Sequence, residues 1–234
     1  MSFSFICKGQ GKPLLLLHGY LSCKESFIYQ INYFSKFFKV YAPDLSGFGN
    51  NPPLKKPYAL QDYVDDLLNF IKEQNLVNFN VIAHSFGVRL VLKSKKLQAL
   101  ADKLVFTGGA GLKPKRNLFY YYKIYKYKFL KRFFPQSKSI KKCGSKEYQL
   151  LSPIMQKSYV LVVNEHLNYT LKNITNKTLI INGAKDKTTP KYMAKQFKKG
   201  IKNCHLIFIK KAGHFAFIDK QNQFNLQVNK FLLE

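Results

Sequence analysis

The chain has no tryptophan and little acid: 12 Asp and Glu stand against 39 Lys and Arg, for a formal charge of +27. Its four cysteines, Cys7, Cys23, Cys143 and Cys204, lie far apart and form no CxxC pair. That spacing argues against a zinc finger and against a disulfide framework. It fits a reducing, cytoplasmic compartment. No apolar run approaches the ~18–20 residues that span a bilayer. The opening MSFSFICKGQ has no basic head followed by an apolar stretch of about 7–15 residues, so no signal peptide is expected.

A charge of +27 first suggests a nucleic-acid partner. The make-up of that charge points elsewhere. Arg89, Arg116 and Arg132 are the only arginines, and recognition of phosphates and base edges leans on the planar arginine fork. No nucleic-acid partner is therefore expected. A lysine excess beside many asparagines fits compositional bias and solubility. The charge does concentrate once. Lys113 to Lys146 holds twelve basic residues and no acidic one, around the aromatic run LFYYYKIYKYKFLKRFF, Leu118–Phe134.

The hydrophobic fraction is 46%, enough for a large core. Leu14–Leu17 is a short continuous apolar run, as in a strand buried on both faces. Val40–Ala42, Phe79–Ala83, Leu104–Thr107, Thr178–Asn182 and Leu206–Ile209 read as further short strands. Ser26–Phe37, Leu60–Gln74, Phe86–Leu97, Pro190–Lys198 and Asn222–Leu233 read as helices. In Leu60–Gln74, Tyr63, Leu67, Phe70 and Ile71 share one side. This alternation predicts an α/β fold, a mostly parallel doubly wound sheet with helices on both faces. It breaks once, between Gly111 and about Asn173, where helix-like segments occur without a clear strand. The expected organisation is a core domain of residues 1–111 and 174–234, with a helical lid inserted over 112–173.

In such a sheet, ligands bind beyond the carboxyl ends of the strands. Four strand ends carry polar residues. His18-Gly19-Tyr20 follows Leu14–Leu17, and Ser85 follows Phe79–Ala83. Asp186, in NGAKDKTTP, follows Thr178–Asn182, and His214, in KKAGHFAF, follows Leu206–Ile209. In VIAHSFGVRL, Val81–Leu90, a hydroxyl stands where a strand passes into a helix. Serine alone is a poor nucleophile at neutral pH. A histidine that takes its proton, and an acid that orients the histidine, activate it. Asp186 has a second reading as a cap for the helix near Pro190. His18, Gly19 and His84 read as supporting neighbours of the site. His166 and His205 belong to no constellation. Asp44 reads as a turn former, and Asp62, Asp65 and Asp66 as solvated helix residues.

LLLLHGY, DLSGFGNNP, AHSFG, GAKDKTTP and AGHF, taken in order, resemble the α/β-hydrolase superfamily over nearly the whole chain. The resemblance implies a triad of Ser85, Asp186 and His214, in the family's own order. It implies an oxyanion hole made by the backbone N–H groups of Tyr20 and Phe86. The sequence departs from the family pattern twice. Ala83 replaces the first glycine of the G-x-S-x-G elbow, and Val88 stands where a second glycine often follows. Alanine is still small enough for the close crossing of strand and helix. A serine nucleophile disfavours the haloalkane dehalogenase and epoxide hydrolase branches, which attack with a carboxylate. Esterases, thioesterases, lactonases and hydrolases of carbon–carbon bonds in ring-fission diketones fit, as do non-enzymatic ligand sensors on the same fold. No cofactor or metal is implied.

Substrate choice is expected to lie in the lid. There Tyr122, Lys123, Lys126, Lys128 and Lys131 form a basic aromatic surface. Three occupants compete for it. One is the anionic group of a small ester or acyl substrate. Another is an acidic carrier, as for the esterases that cut pimeloyl methyl ester on its carrier protein. The third is an anionic lipid surface. A small-molecule ester or acyl substrate is the leading expectation.

Overall fold

The computed structural model describes residues 3–115, 122, 125, 129, 132, 133 and 146–234. Its strands are β1 (Phe5–Lys8), β2 (Pro13–Leu17), β3 (Lys39–Pro43), β4 (Phe79–His84), β5 (Ala101–Thr107), β6 (Thr178–Gly183) and β7 (Cys204–Ile209). They form one sheet in the order β1-β3-β2-β4-β5-β6-β7. Only the β1–β3 pair is antiparallel. The helices are α1 (Ile28–Phe34), α2 (Leu60–Glu73), α3 (Phe86–Lys93), α4 (Lys95–Leu100), α5 (Lys146–Gln149), α6 (Pro153–Asn164), α7 (Lys191–Gly200), α8 (Ala216–Asp219) and α9 (Gln221–Leu233). This is the α/β-hydrolase fold.

The apolar run in β2 shows how the layers form. Side chains alternate across a strand. Leu15 and Leu17 therefore join one core layer, with Tyr63, Leu67 and Phe70 of α2 and Val88 and Leu92 of α3. Leu14 and Leu16 join the other, with Ile31 and Phe34 of α1 and Phe224 and Val228 of α9. All four leucines are at most 1% exposed. Burying each contributes roughly 1.5–3 kcal/mol, which holds the central strands, and so the loops at their ends, in fixed positions.

Strand β1 had no counterpart in the sequence pattern. It is four residues long and only half covered at the sheet edge, so it lacks the apolar run that betrays a central strand. The helix expected over Phe86–Leu97 is two helices. Ser94 between them is extended (φ −103°, ψ 100°), and its hydroxyl caps α4 by accepting from Leu97 N at 3.1 Å. Asp62 and Asp66 are not simply solvated. Asp62 accepts from Ala59 N at 2.7 Å, and Asp66 from the Ser46 hydroxyl at 2.6 Å. Asp65 is exposed, as expected. Asp44 does brace its turn through Asn50 N, at 2.9 Å. It is also fully buried and ion-paired with Lys24 Nζ at 2.6 Å, which no local pattern announces.

Between β5 and β6, no strand occurs among the described residues. Helix α6 starts at Pro153, and the Ser152 hydroxyl accepts from Met155 N. Its Ser158 hydroxyl accepts from Tyr58 N at 2.9 Å, joining α6 to the segment before α2. Lys123, Lys126, Lys128, Lys131 and Cys143 lie outside the described residues. Tyr122 is helical and 60% exposed. No helix is long and apolar enough to cross a membrane among the described residues.

Candidate active site

Ser85 sits at the junction of β4 and α3 with φ 47° and ψ −101°. A positive φ on a serine is strained, and such strain persists only where the surroundings hold it. Ser85 N donates to Thr107 O at 3.1 Å, and Ser85 O accepts from Val88 N at 3.2 Å. Helix α3 then crosses β2 so closely that a Cβ on Gly87 would stand 2.5 Å from Leu17 O. That close crossing aims the turn, with its hydroxyl, into a cavity of about 800 Å³.

Asp186 and His214 arrive from the ends of β6 and β7. His214 Nδ1 lies 2.9 Å from Asp186 Oδ2, and the Asp186 side chain is 1% exposed. The carboxylate also accepts from the Thr188 and Thr189 N–H groups at 2.8 and 2.9 Å, and from the Thr189 hydroxyl at 2.7 Å. Asp186 thus braces the turn before α7 and holds the histidine at once. Burial pushes its pKa up. The bonds from His214 and Thr189 outweigh burial and hold it below the usual carboxylate range. Because an ionised carboxylate only accepts, Nδ1 carries the proton of a neutral His214, and Nε2 is left as the basic nitrogen. His214 and Ser85 line the same cavity. No hydrogen bond joins their side chains among the described residues, and resting sites often tighten only on substrate binding.

His18 and His84 sit beneath this arrangement. His18 Nδ1 donates to Gly19 O at 2.7 Å, and its Nε2 accepts from Leu45 N at 2.9 Å. The imidazole is fully buried and neutral, and burial lowers its pKa to about 4. It pins the loop that carries Gly19 and Tyr20. His84 Nδ1 donates to Thr107 O at 3.1 Å, and its ring lies 4.7 Å from that of His214. Burial, then the neighbouring His214, lowers its pKa to about 3. Gly19 leaves room for it: a Cβ there would sit 3.0 Å from His84 Cδ2. The Tyr20 ring packs 5.2 Å from Phe86 and 5.2 Å from Tyr159, and its hydroxyl donates to Met155 O of α6 at 3.1 Å. Tyr20 and Phe86 both line the cavity that Ser85 lines.

A family model described as "alpha/beta hydrolase fold" matches residues 12–93, and one described as "TAP-like protein" matches residues 159–234. The chain belongs to the α/β-hydrolase superfamily. The AB hydrolase superfamily protein YisY of Bacillus subtilis is 25% identical, over 95% of this chain and 92% of its own. Among solved structures, an esterase from Exiguobacterium antarcticum aligns with a TM-score of 0.80 at 20% identity, covering 99% of this chain and 96% of that one. A meta-cleavage product hydrolase from Pseudomonas fluorescens aligns with a TM-score of 0.75 at 20% identity, covering 98% and 93%. At such identities the likeness is one of fold.

Thr189, Arg89 and His166 of this α/β-hydrolase cavity escaped the sequence reading; His166, expected to belong to no constellation, lines it. Thr189 touches both Asp186 and His214; the run KDKTTP marked it only as a turn residue. Arg89 lies one helical turn after Ser85 and lines the cavity. Its signal was available, an arginine four residues after Ser85.

Proposed function

We propose that this chain is a serine hydrolase that cleaves a carboxylic ester or related acyl bond through an acyl-enzyme. The observation that carries the reading is the 2.9 Å Asp186–His214 contact at the wall of the cavity that holds the strained Ser85. In this account His214 Nε2 takes the Ser85 proton as Oγ attacks the acyl carbon. The same proton passes to the leaving alcohol, which departs as the acyl-enzyme forms. Water, deprotonated by His214, then releases the acid and restores Ser85. The net reaction is ester plus water giving acid plus alcohol. The negative oxygen of each tetrahedral intermediate is taken by the Tyr20 and Phe86 N–H groups. One such donor is worth ~3–4 kcal/mol of transition-state stabilisation. Residues 112–173 act as the lid of this cavity, with α6 as its wall.

Steady-state hydrolysis of p-nitrophenyl esters, from two to twelve acyl carbons, tests the reading. Turnover by the wild type, lost in Ser85→Ala, supports it, and the preferred chain length sizes the cavity. Equal turnover by both proteins contradicts it.

A further inference from the structure

The cavity wall holds a cation with no ion-pair partner among the described residues. Arg89, on α3, is only 8% exposed and faces the same cavity as Ser85. Its Nη1 donates to the backbone carbonyls of Val162 and Glu165, both at 2.9 Å. Those acceptors, at the carboxyl end of α6, are neutral. The Glu165 carboxylate beside them is occupied: its Oε1 is bound by Lys93 Nζ at 2.5 Å. Among the described residues, no carboxylate lies within ion-pair distance of the guanidinium.

The remainder of the cavity repeats the pattern. Its described lining contains Lys187 and no aspartate or glutamate. A guanidinium presents five N–H donors, and here the Nη1 bonds leave the Nε and Nη2 edge without an acceptor among the described residues. A buried charge is stabilised when an opposite charge and hydrogen bonds meet it, and it is costly otherwise. Burial accordingly pulls the Arg89 pKa down to about 10. A role confined to capping α6 explains the Nη1 bonds. It does not explain why a permanent cation is kept at the reaction cavity with no ion-pair partner among the described residues.

We infer that Arg89 is an anion subsite, and that the acyl substrate carries a carboxylate which pairs with the free edge of the guanidinium. The substrate part of this inference rests on the hydrolase reading above; the anion subsite does not. Ser85 and Arg89 line one cavity, so carboxylate and scissile carbonyl belong to one small molecule. The fork of arginine suits a carboxylate because two parallel N–H···O bonds fix its orientation.

Two measurements test this. The first compares kcat/KM for monomethyl adipate and dimethyl adipate, which differ in the charge at the far end. The wild type is expected to favour the half-ester by tenfold or more. Arg89→Gln, which keeps a donor for the α6 carbonyls, is expected to lower that ratio by about 10–100-fold. Arg89→Lys restores part of it. A wild type that prefers the diester overturns the subsite without any variant. So does a ratio that survives in Arg89→Gln, since loss of α6 anchoring alone lowers both rates together. The second measurement is calorimetric binding of adipate and hexanoate to Ser85→Ala, with and without Arg89→Gln. Adipate is expected to bind at least tenfold more tightly, and only with Arg89 present. If neither ester is turned over but adipate binding depends on Arg89, the hydrolase reading fails and the subsite stands. If both esters are turned over while adipate binds no better than hexanoate, the subsite fails and the hydrolase reading stands.

Discussion

Asp186 Oδ2 lies 2.9 Å from His214 Nδ1, and the same carboxylate accepts three further bonds from Thr188 and Thr189. The acid is therefore fixed in place before it meets the histidine. Its charge is held by the turn that leads into α7, and this lets it impose one tautomer on the imidazole. In the proposed mechanism Asp186→Asn presents an amide that can donate to Nδ1 and favour the wrong tautomer. We expect kcat to fall by roughly 10³–10⁴-fold with little change in KM. Thr189→Val, which removes one bond to the carboxylate, should cost about tenfold in kcat. Steady-state kinetics on a p-nitrophenyl ester check both.

Packing at the elbow gives a prediction about stability. A Cβ on Gly87 would stand 2.5 Å from the Leu17 carbonyl oxygen, a backbone atom at the carboxyl end of β2. Neither group can retreat without moving α3 off β2. Gly87→Ala should destabilise the fold by about 1–3 kcal/mol, read as a lower urea midpoint. A midpoint equal to wild type would mean that helix and strand cross less closely.

The neighbouring histidines give stability a direction with pH. His18 and His84 are buried and neutral, with folded pKa values lowered to about 4 and about 3, while the unfolded chain titrates them near 6.5. Below about 6.5 the unfolded state binds protons that the folded state refuses, so stability falls as pH falls. For His18 the loss continues to about 4, and for His84 to about 3. Asp186 acts in the same direction, because its folded pKa lies below the unfolded one and its contribution is lost on acidification. The expected slope is about 1 kcal/mol per pH unit for each histidine inside its window. Urea midpoints between pH 7.5 and 4.5 measure it. His84→Gln should flatten the curve; an unchanged slope would contradict the burial argument.

Much of this fold could be read from the sequence, for a reason visible in β2 and β4. Central strands buried on both faces are written as short apolar runs, and each ends at a residue that the sheet must present to its open end. Ser85, Asp186 and His214 stood out because each lies within five residues of the end of such a run. What did not show was non-local or half-exposed. Strand β1 borrows its pairing from β3 and needs no apolar run of its own. The Asp44–Lys24 pair joins residues 20 apart, with no local pattern between them. Arg89 looked like one more basic residue in a basic chain. Only its place beside Ser85, with its neighbouring carboxylate already taken by Lys93, sets it apart.

The central claim is that Ser85 is a nucleophile activated by His214. The most direct test is intact-mass and peptide mapping after exposure to a fluorophosphonate, which reacts only with an activated serine. The account predicts a single adduct, mapped to Ser85, absent from Ser85→Ala and formed at least a hundredfold more slowly in His214→Ala. An unmodified wild type, or an adduct that persists in Ser85→Ala, would contradict it.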